Sequence, residues 1–443
     1  MSSPEASEVS ITYARALVQA RLGREPQDAL EAAVVLEAWG GLRATSALAL
    51  GHQLVALADG TEELPRSKER EERPRETGVV GEALTLVLTV VAVAAWAPAL
   101  VRQLGAQSVA SALWLALPLT LSLQWTLRSR YLGRTDGLGR LAQQRGSLVA
   151  GGLTLAGVLP LVLGVRGALA SLLVITWVAG SVLARRGWGV GYGLVLLLVA
   201  VCLEAGFPAL ALVALAAALT LLAAWKALPP KASALRSPGP WAPAAAAGAM
   251  GAGLGVLFVG DSSADWGTNG ALTALSLIPS TLASFWGGLY LRRLREVVPR
   301  ALANVSVLHA GRISFDHSPL QVLTGALLRL AGASVALSAA LLLFIPAAGF
   351  ATVSPGLLVG FASVSLAVLT ISLLESLGHT RLAVLAVVAA LGGEFAVELS
   401  GGAAFSGAGL ALGGALGALV ALPLTVRLLL CPGRALATSL WIP

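Results

Sequence analysis

Two stretches of this chain gather arginines that could handle an anion. Residues 122–134 read SLQWTLRSRYLGR, and residues 283–295 read ASFWGGLYLRRLR. Each leaves an apolar run through a Trp and then gathers a Tyr and several arginines. The first supplies Arg128, Arg130 and Arg134; the second supplies Arg292, Arg293 and Arg295. A guanidinium presents a planar fork of donors that grips phosphate or carboxylate, and a cluster of them focuses potential on an approaching polyanion. The same residue types anchor a helix end to anionic lipid and fix its topology. The spacing leaves both uses open.

Isolated charges inside apolar runs are the second set of candidates. Arg329 lies about ten residues into the run 319–345, roughly 15 Å along a helix. A charge at that depth is costly unless it is matched, so the expectation is a cavity facing polar groups, where Arg329 binds a diphosphate or a sugar acid. The structural alternative is a pair with an acid such as Glu375. Glu394 and Glu398 stand four apart late in another run, on one helical face, and Glu375 closes a third. These three acids are the candidates for coupling a proton or cation; exposure at the membrane interface is their plainer reading.

Several chemistries are absent. Lysine occurs only as Lys68, Lys226 and Lys231, none after a glycine, so there is no phosphate-binding P-loop. His52, His309, His317 and His379 form no HExxH and do not cluster, and no Asp-x-Asp pair is present to hold the metal of a sugar-nucleotide transferase. Cys202 and Cys431 lie far apart with no metal spacing, and no disulfide is expected. No cofactor and no enzymatic activity are expected.

The elements that must position these residues are membrane helices. Charged residues make up 12% of the chain and hydrophobic ones 56%, against about 25% charged in a soluble domain. Twelve apolar runs, without the alternation of barrel strands, are read at about 79–101, 106–126, 147–165, 167–184, 188–205, 207–225, 239–259, 270–291, 319–345, 355–376, 381–399 and 403–428. The short breaks at Arg166-Gly167, Gly206 to Pro208 and Ser400 to Gly402 are the fragile points of that count. Charge supports it. With both termini inside, every Lys and Arg except Arg102, Arg166 and Arg329 falls on the inner side. The net charge of +7 is therefore positive-inside bias, and no nucleic-acid partner is expected. The start of the chain, MSSPEASEVSITYARALVQA, has no basic region followed by an apolar one, so no signal peptide is expected.

Four regions follow: a helical cytoplasmic region 1–60, a charged linker 61–78, and two six-helix lobes, 79–238 and 239–443. The fold class is an all-α polytopic membrane protein, about twelve transmembrane helices in two parallel halves around a central cavity. SLQWTLRSRYLGR closes the second span and ASFWGGLYLRRLR the eighth, so the two exits stand six spans apart and share an orientation. That is the mark of a parallel repeat. Glycines at 409, 413 and 417, and at 251 and 255, recur every four residues and suit close helix packing.

With this layout, Ser129-Arg130-Tyr131-Leu132 and the stretch from Ile278-Pro279 through Phe285 to Arg295 resemble the MOP (multidrug/oligosaccharidyl-lipid/polysaccharide) flippases, most of all the Pel-type exopolysaccharide transport branch. The resemblance covers about residues 79–430, mostly by topology. Residues 1–78 depart from lipid II flippases, which begin almost at once with a span. The resemblance implies a transporter in the bacterial inner membrane that moves an anionic saccharide or lipid-linked saccharide, in contact with membrane lipids, with glycosyltransferase or other polysaccharide-synthesis subunits docking on residues 1–78. Alternatives are an ion-coupled multidrug-type efflux carrier and a non-transporting scaffold. A lipid-linked-sugar polymerase or ligase fits poorly, because the longest outer loop is only about 260–269.

Overall fold

The computed structural model describes residues 14–22, 26, 28–40, 44–58, 79–132, 141, 145–228, 241–260, 262–303, 319–347, 353–376, 379–400 and 407–430. These residues are almost entirely helical and divide into two units, 1–74 with 294–318, and 75–293 with 319–443.

In the first unit, α1 (residues 14–22), α2 (Ala29–Gly40) and α3 (Ala44–Ala58) form a small helical cluster. The Asp28 carboxylate accepts a 2.7 Å hydrogen bond from the Glu31 N–H, capping α2 two residues past Pro26. Ala14, Val18, Ala33, Leu36 and Leu54 fill the core. A side chain at Gly51 would overlap the Ala29 carbonyl, so α3 meets α2 backbone to backbone.

The second unit holds α4 (Val79–Leu104), α5 (Ala106–Leu127), α6 (Arg145–Arg185), α7 (Gly189–Glu204), α8 (Ala209–Ala227), α9 (Trp241–Val259), α11 (Pro319–Ala347), α12 (Pro355–Ser376), α13 (Thr380–Leu399) and α14 (Ala408–Leu430). The helix α10 (Ser263–Ala303) runs through the eighth expected span and beyond it. Ten of these helices are long and apolar enough to cross a membrane, and Gly189–Glu204 is a shorter apolar one.

The ten become eleven at α6, because this 41-residue helix doubles back on itself. Gly164 has φ 60° and ψ −138°, a conformation that only glycine adopts without strain. A Cβ on Gly152 would lie 3.8 Å from Ile175, whereas 23 residues of straight helix span about 35 Å. The chain therefore reverses at Gly164, two residues before the expected break at Arg166-Gly167. With Gly189–Glu204, all twelve expected apolar segments are present as helices. A second irregularity, Asn269 at φ −129° and ψ 39°, falls where the eighth span was expected to begin. Past that span, the stretch read as a loop from 292 is helical to Ala303.

Two large apolar cores organise the second unit. The first is built by α4 to α8 and is tied by the Trp96 indole N–H, which donates to the Leu196 carbonyl at 2.9 Å. The second is built by α9, α12, α13 and α14. The expected glycine stripe of α14 is part of it: side chains at Gly413 and Gly417 would collide with Ala390 of α13. The assignments are not strictly by halves. Trp125 of α5 belongs to the second core, while Trp266 and Ala274 of α10 belong to the first. Ala283 of α10 joins Leu330 and Leu369 in a small separate cluster.

The halves meet along α5 and α9. Side chains placed at Gly248, Gly251 or Gly255 would overlap Thr126, the Leu121 carbonyl and Pro118 in turn. The second glycine stripe read from the sequence is therefore the surface on which α9 lies against α5.

Candidate functional site

The basic end of α5 makes polar contacts with the other half. After Leu127 the helix widens into a π-helical turn, Arg128–Leu132, a distortion that often marks functional positions. Arg128 sits 5.6 Å over the Trp125 ring and 3.6 Å from a Glu375 carboxylate oxygen at the end of α12. Arg130 is buried, with its guanidinium 3.5 Å from the centre of the Trp241 ring at the start of α9. One turn back, the Gln124 amide donates to the Trp177 carbonyl of α6 at 3.1 Å.

These arginines were expected to face a substrate or a lipid headgroup. In this structure both reach across to partners in the other half. Glu375 is held by Arg128, where the sequence offered it as a partner for Arg329. The Arg128–Glu375 pair is partly exposed, at 32% and 13%, so it is worth roughly 0.5–1 kcal/mol. A desolvated arginine on a Trp face contributes about 2 kcal/mol.

The remaining candidates lie apart from this cluster. Arg329 is exposed on α11, stacked 3.9 Å from the Tyr290 ring and donating back to the Gly325 carbonyl at 2.9 Å. Among the described residues, cavities of about 640 and 420 Å³ are lined by first-half residues, and Arg329 lines neither of them. Arg292, Arg293 and Arg295 lie on α10, with their side chains outside what the structure describes, and Arg134 lies outside the described residues.

Glu394 and Glu398 part company. Glu398 is exposed, whereas Glu394 is 1% exposed in the second core. A side chain on Gly260, just past α9, would overlap the Glu394 carboxylate, so that glycine makes the room the acid occupies. A carboxylate so placed must be matched by donors, by a proton or by a cation. Helical spacing put the two acids on one face but could not show that the face passes from core to surface within one turn.

One contact that the sequence did not suggest accounts for an exception to the charge rule. Arg102, in the last turn of α4, pairs with Glu204 at the end of α7. Beside it the Gln103 amide donates to the Phe207 carbonyl at 3.0 Å, and its oxygen accepts from the Ala209 N–H at 2.8 Å. Together they fasten α4 to the α7–α8 turn. Among the described residues, no group of three or more His, Cys, Asp or Glu is placed to hold a metal.

No protein-family model matches the chain, and no curated protein matches it. Solved structures match at low identity. An outward-facing multidrug resistance MATE family transporter of the MOP superfamily is 15% identical, with a TM-score of 0.43, over 82% of this chain and 94% of that one. A MATE protein in complex with MaL6 is 15% identical, with a TM-score of 0.44, over 83% and 97%. A MOP superfamily transporter from Pyrococcus furiosus is 15% identical, with a TM-score of 0.39, over 82% and 95%. Likenesses at this level do not assign the chain to a family; what the sequence and the helices establish is a multi-pass helical membrane protein.

Proposed function

We propose that this chain is a transporter that moves a polysaccharide or polyprenyl-linked saccharide across the bacterial cytoplasmic membrane by alternating access, with both termini in the cytoplasm. The observation that carries this reading is the basic joint between two separately cored bundles, where Arg128 meets Glu375 and Arg130 meets Trp241. Close-packed cores resist internal deformation, and contacts worth about 0.5–2 kcal/mol each are weak enough to be exchanged. When the bundles rock, the guanidiniums released by Glu375 and Trp241 are offered to a phosphate or a uronate at the inner mouth. Arg134, Arg292, Arg293 and Arg295, which the sequence reading puts on the inner side, are further anion contacts in this proposal, as is Arg329. Residues 1–78 dock polysaccharide-synthesis subunits.

Glu394 favours a second reading, an ion-coupled multidrug-type efflux carrier. Its near-complete burial suits a carboxylate that exchanges a proton or cation during a transport cycle, with Glu375 and Glu398 as lesser contributors.

Proteoliposomes separate the two. A polyprenyl-diphosphate saccharide loaded in one leaflet is expected to become accessible to an added glycosidase only when the protein is present, with loss in Arg128→Gln and Arg130→Gln. Export of a lipophilic fluorescent cation that follows an imposed proton or sodium gradient and stops in Glu394→Gln, without saccharide movement, would replace the first reading with the second. Movement of neither substrate would overturn both.

A further inference from the structure

The larger cavity, about 640 Å³, lies between the two arms of α6 and the helix α8. Its floor is made of small residues, among them Gly152, Ala156, Ala214 and Ala217, and its rim carries Leu153 and Trp225. The rim is open: Leu153 is 64% exposed and Trp225 38%. Both walls are helices long and apolar enough to span a membrane, so the opening faces hydrocarbon. Along the first arm the lining runs from Gly146 to Ala156, roughly 15 Å of helix, which is the depth of one leaflet of a bilayer about 30 Å thick.

One end of this groove is cationic. Trp225, which lines that end, is followed by Lys226. From the turn after α6, the Arg186 Nε donates to the Ala227 carbonyl at 2.6 Å, which fixes that guanidinium at the last turn of α8, beside the Trp225 end of the groove. A slot of apolar, leaflet-deep wall with cations at its mouth matches a molecule with a chain of that length and an anionic head.

We propose that this groove is a binding site for one acyl chain of an anionic phospholipid from the leaflet at the cationic end, with its phosphate held by Arg186 and Lys226. The site is separate from the Arg128–Glu375 joint and does not depend on which substrate the protein moves. A polyprenyl chain, much longer than one leaflet, overfills it.

Photolabelling of the full chain in phosphatidylcholine nanodiscs tests the assignment. Trace phosphatidylglycerol bearing a diazirine in its acyl chain is compared with phosphatidylcholine bearing the same chain, and the exposed face of α7 at Leu194, Leu198 and Val201 serves as reference. Phosphatidylglycerol is expected to label residues 146–156 and 214–225 about tenfold more than phosphatidylcholine does, given two cations at the mouth, with equal labelling of the reference face. Lys226→Gln should lower that excess several-fold, and Gly152→Leu should remove groove labelling altogether. Equal labelling of the groove by both lipids in the unaltered protein would overturn the proposal. So would stronger labelling by a diazirine polyprenyl phosphate at the same mole fraction.

Discussion

The two exits that look alike in the sequence sit in unlike surroundings. Trp125 is 7% exposed, within the core of the opposite half, and Trp286 is 60% exposed. After Trp125 the arginines reach Glu375 and Trp241, whereas after Trp286 it is Tyr290 that meets a cation, Arg329 of the neighbouring α11. The difference lies in what each helix lies against. The helix α5 is pressed along the glycine stripe of α9, while Gly287 approaches the Ala326 carbonyl of α11 and Gly288 has open space beside it. A repeated motif marks an equivalent position in the chain; the neighbours decide whether that position becomes a joint or an outer surface.

The comparison breaks first at the tryptophans. Trp125→Ala is expected to cost about 3–5 kcal/mol, as for other large buried side chains, and Trp286→Ala less than about 1 kcal/mol. Thermal unfolding of each variant in detergent, followed by loss of the monodisperse fraction, measures this; equal losses would make the two exits equivalent after all. Glycines give the next contrast. Gly251→Leu must push α9 off the Leu121 carbonyl and should cost about 1–3 kcal/mol, whereas Gly288→Leu, with nothing near its Cβ, should fall within about 0.5 kcal/mol of the unaltered protein.

Smaller effects sharpen the contrast at the cations. Trp241→Leu should destabilise by about 1–2 kcal/mol through the loss of the face under Arg130, and Tyr290→Leu by about 0.5 kcal/mol because Arg329 is exposed. The least is expected from the ion pair: a double-mutant cycle of Arg128→Gln with Glu375→Gln should yield a coupling of about 0.5 kcal/mol that shrinks as salt is raised. A coupling several times larger would mean that the joint is locked rather than exchangeable.

The spans were legible because membrane thickness sets the length of an apolar run, and the sidedness of arginine marked where runs end. Even the reversal inside α6 was announced, within two residues, by the glycine and charge that follow Val165. What stayed hidden is which side of each helix faces protein. Periodicity reveals a buried face only when the other face is polar, and in hydrocarbon both faces are apolar. Trp125 and Trp286, or Glu394 and Glu398, therefore read as like pairs although one member of each is buried and the other exposed. The meeting of Arg128 with Glu375, and of Arg102 with Glu204, joins residues distant in the chain, and spacing carries no trace of such a pairing.

The turn at Gly164 has a bearing on how the protein is made. Its two arms are joined with no loop between them, the shape in which two spans can enter a bilayer as one hairpin. If they enter as a hairpin, tip first, the tip must carry Arg166 into the hydrocarbon, a cost that the paired arms share. Lengthening that turn would uncouple the arms and leave the first one free to stop in the wrong orientation. At this one point a single glycine sets the shape of the finished fold and, with it, the hairpin that a bilayer would receive.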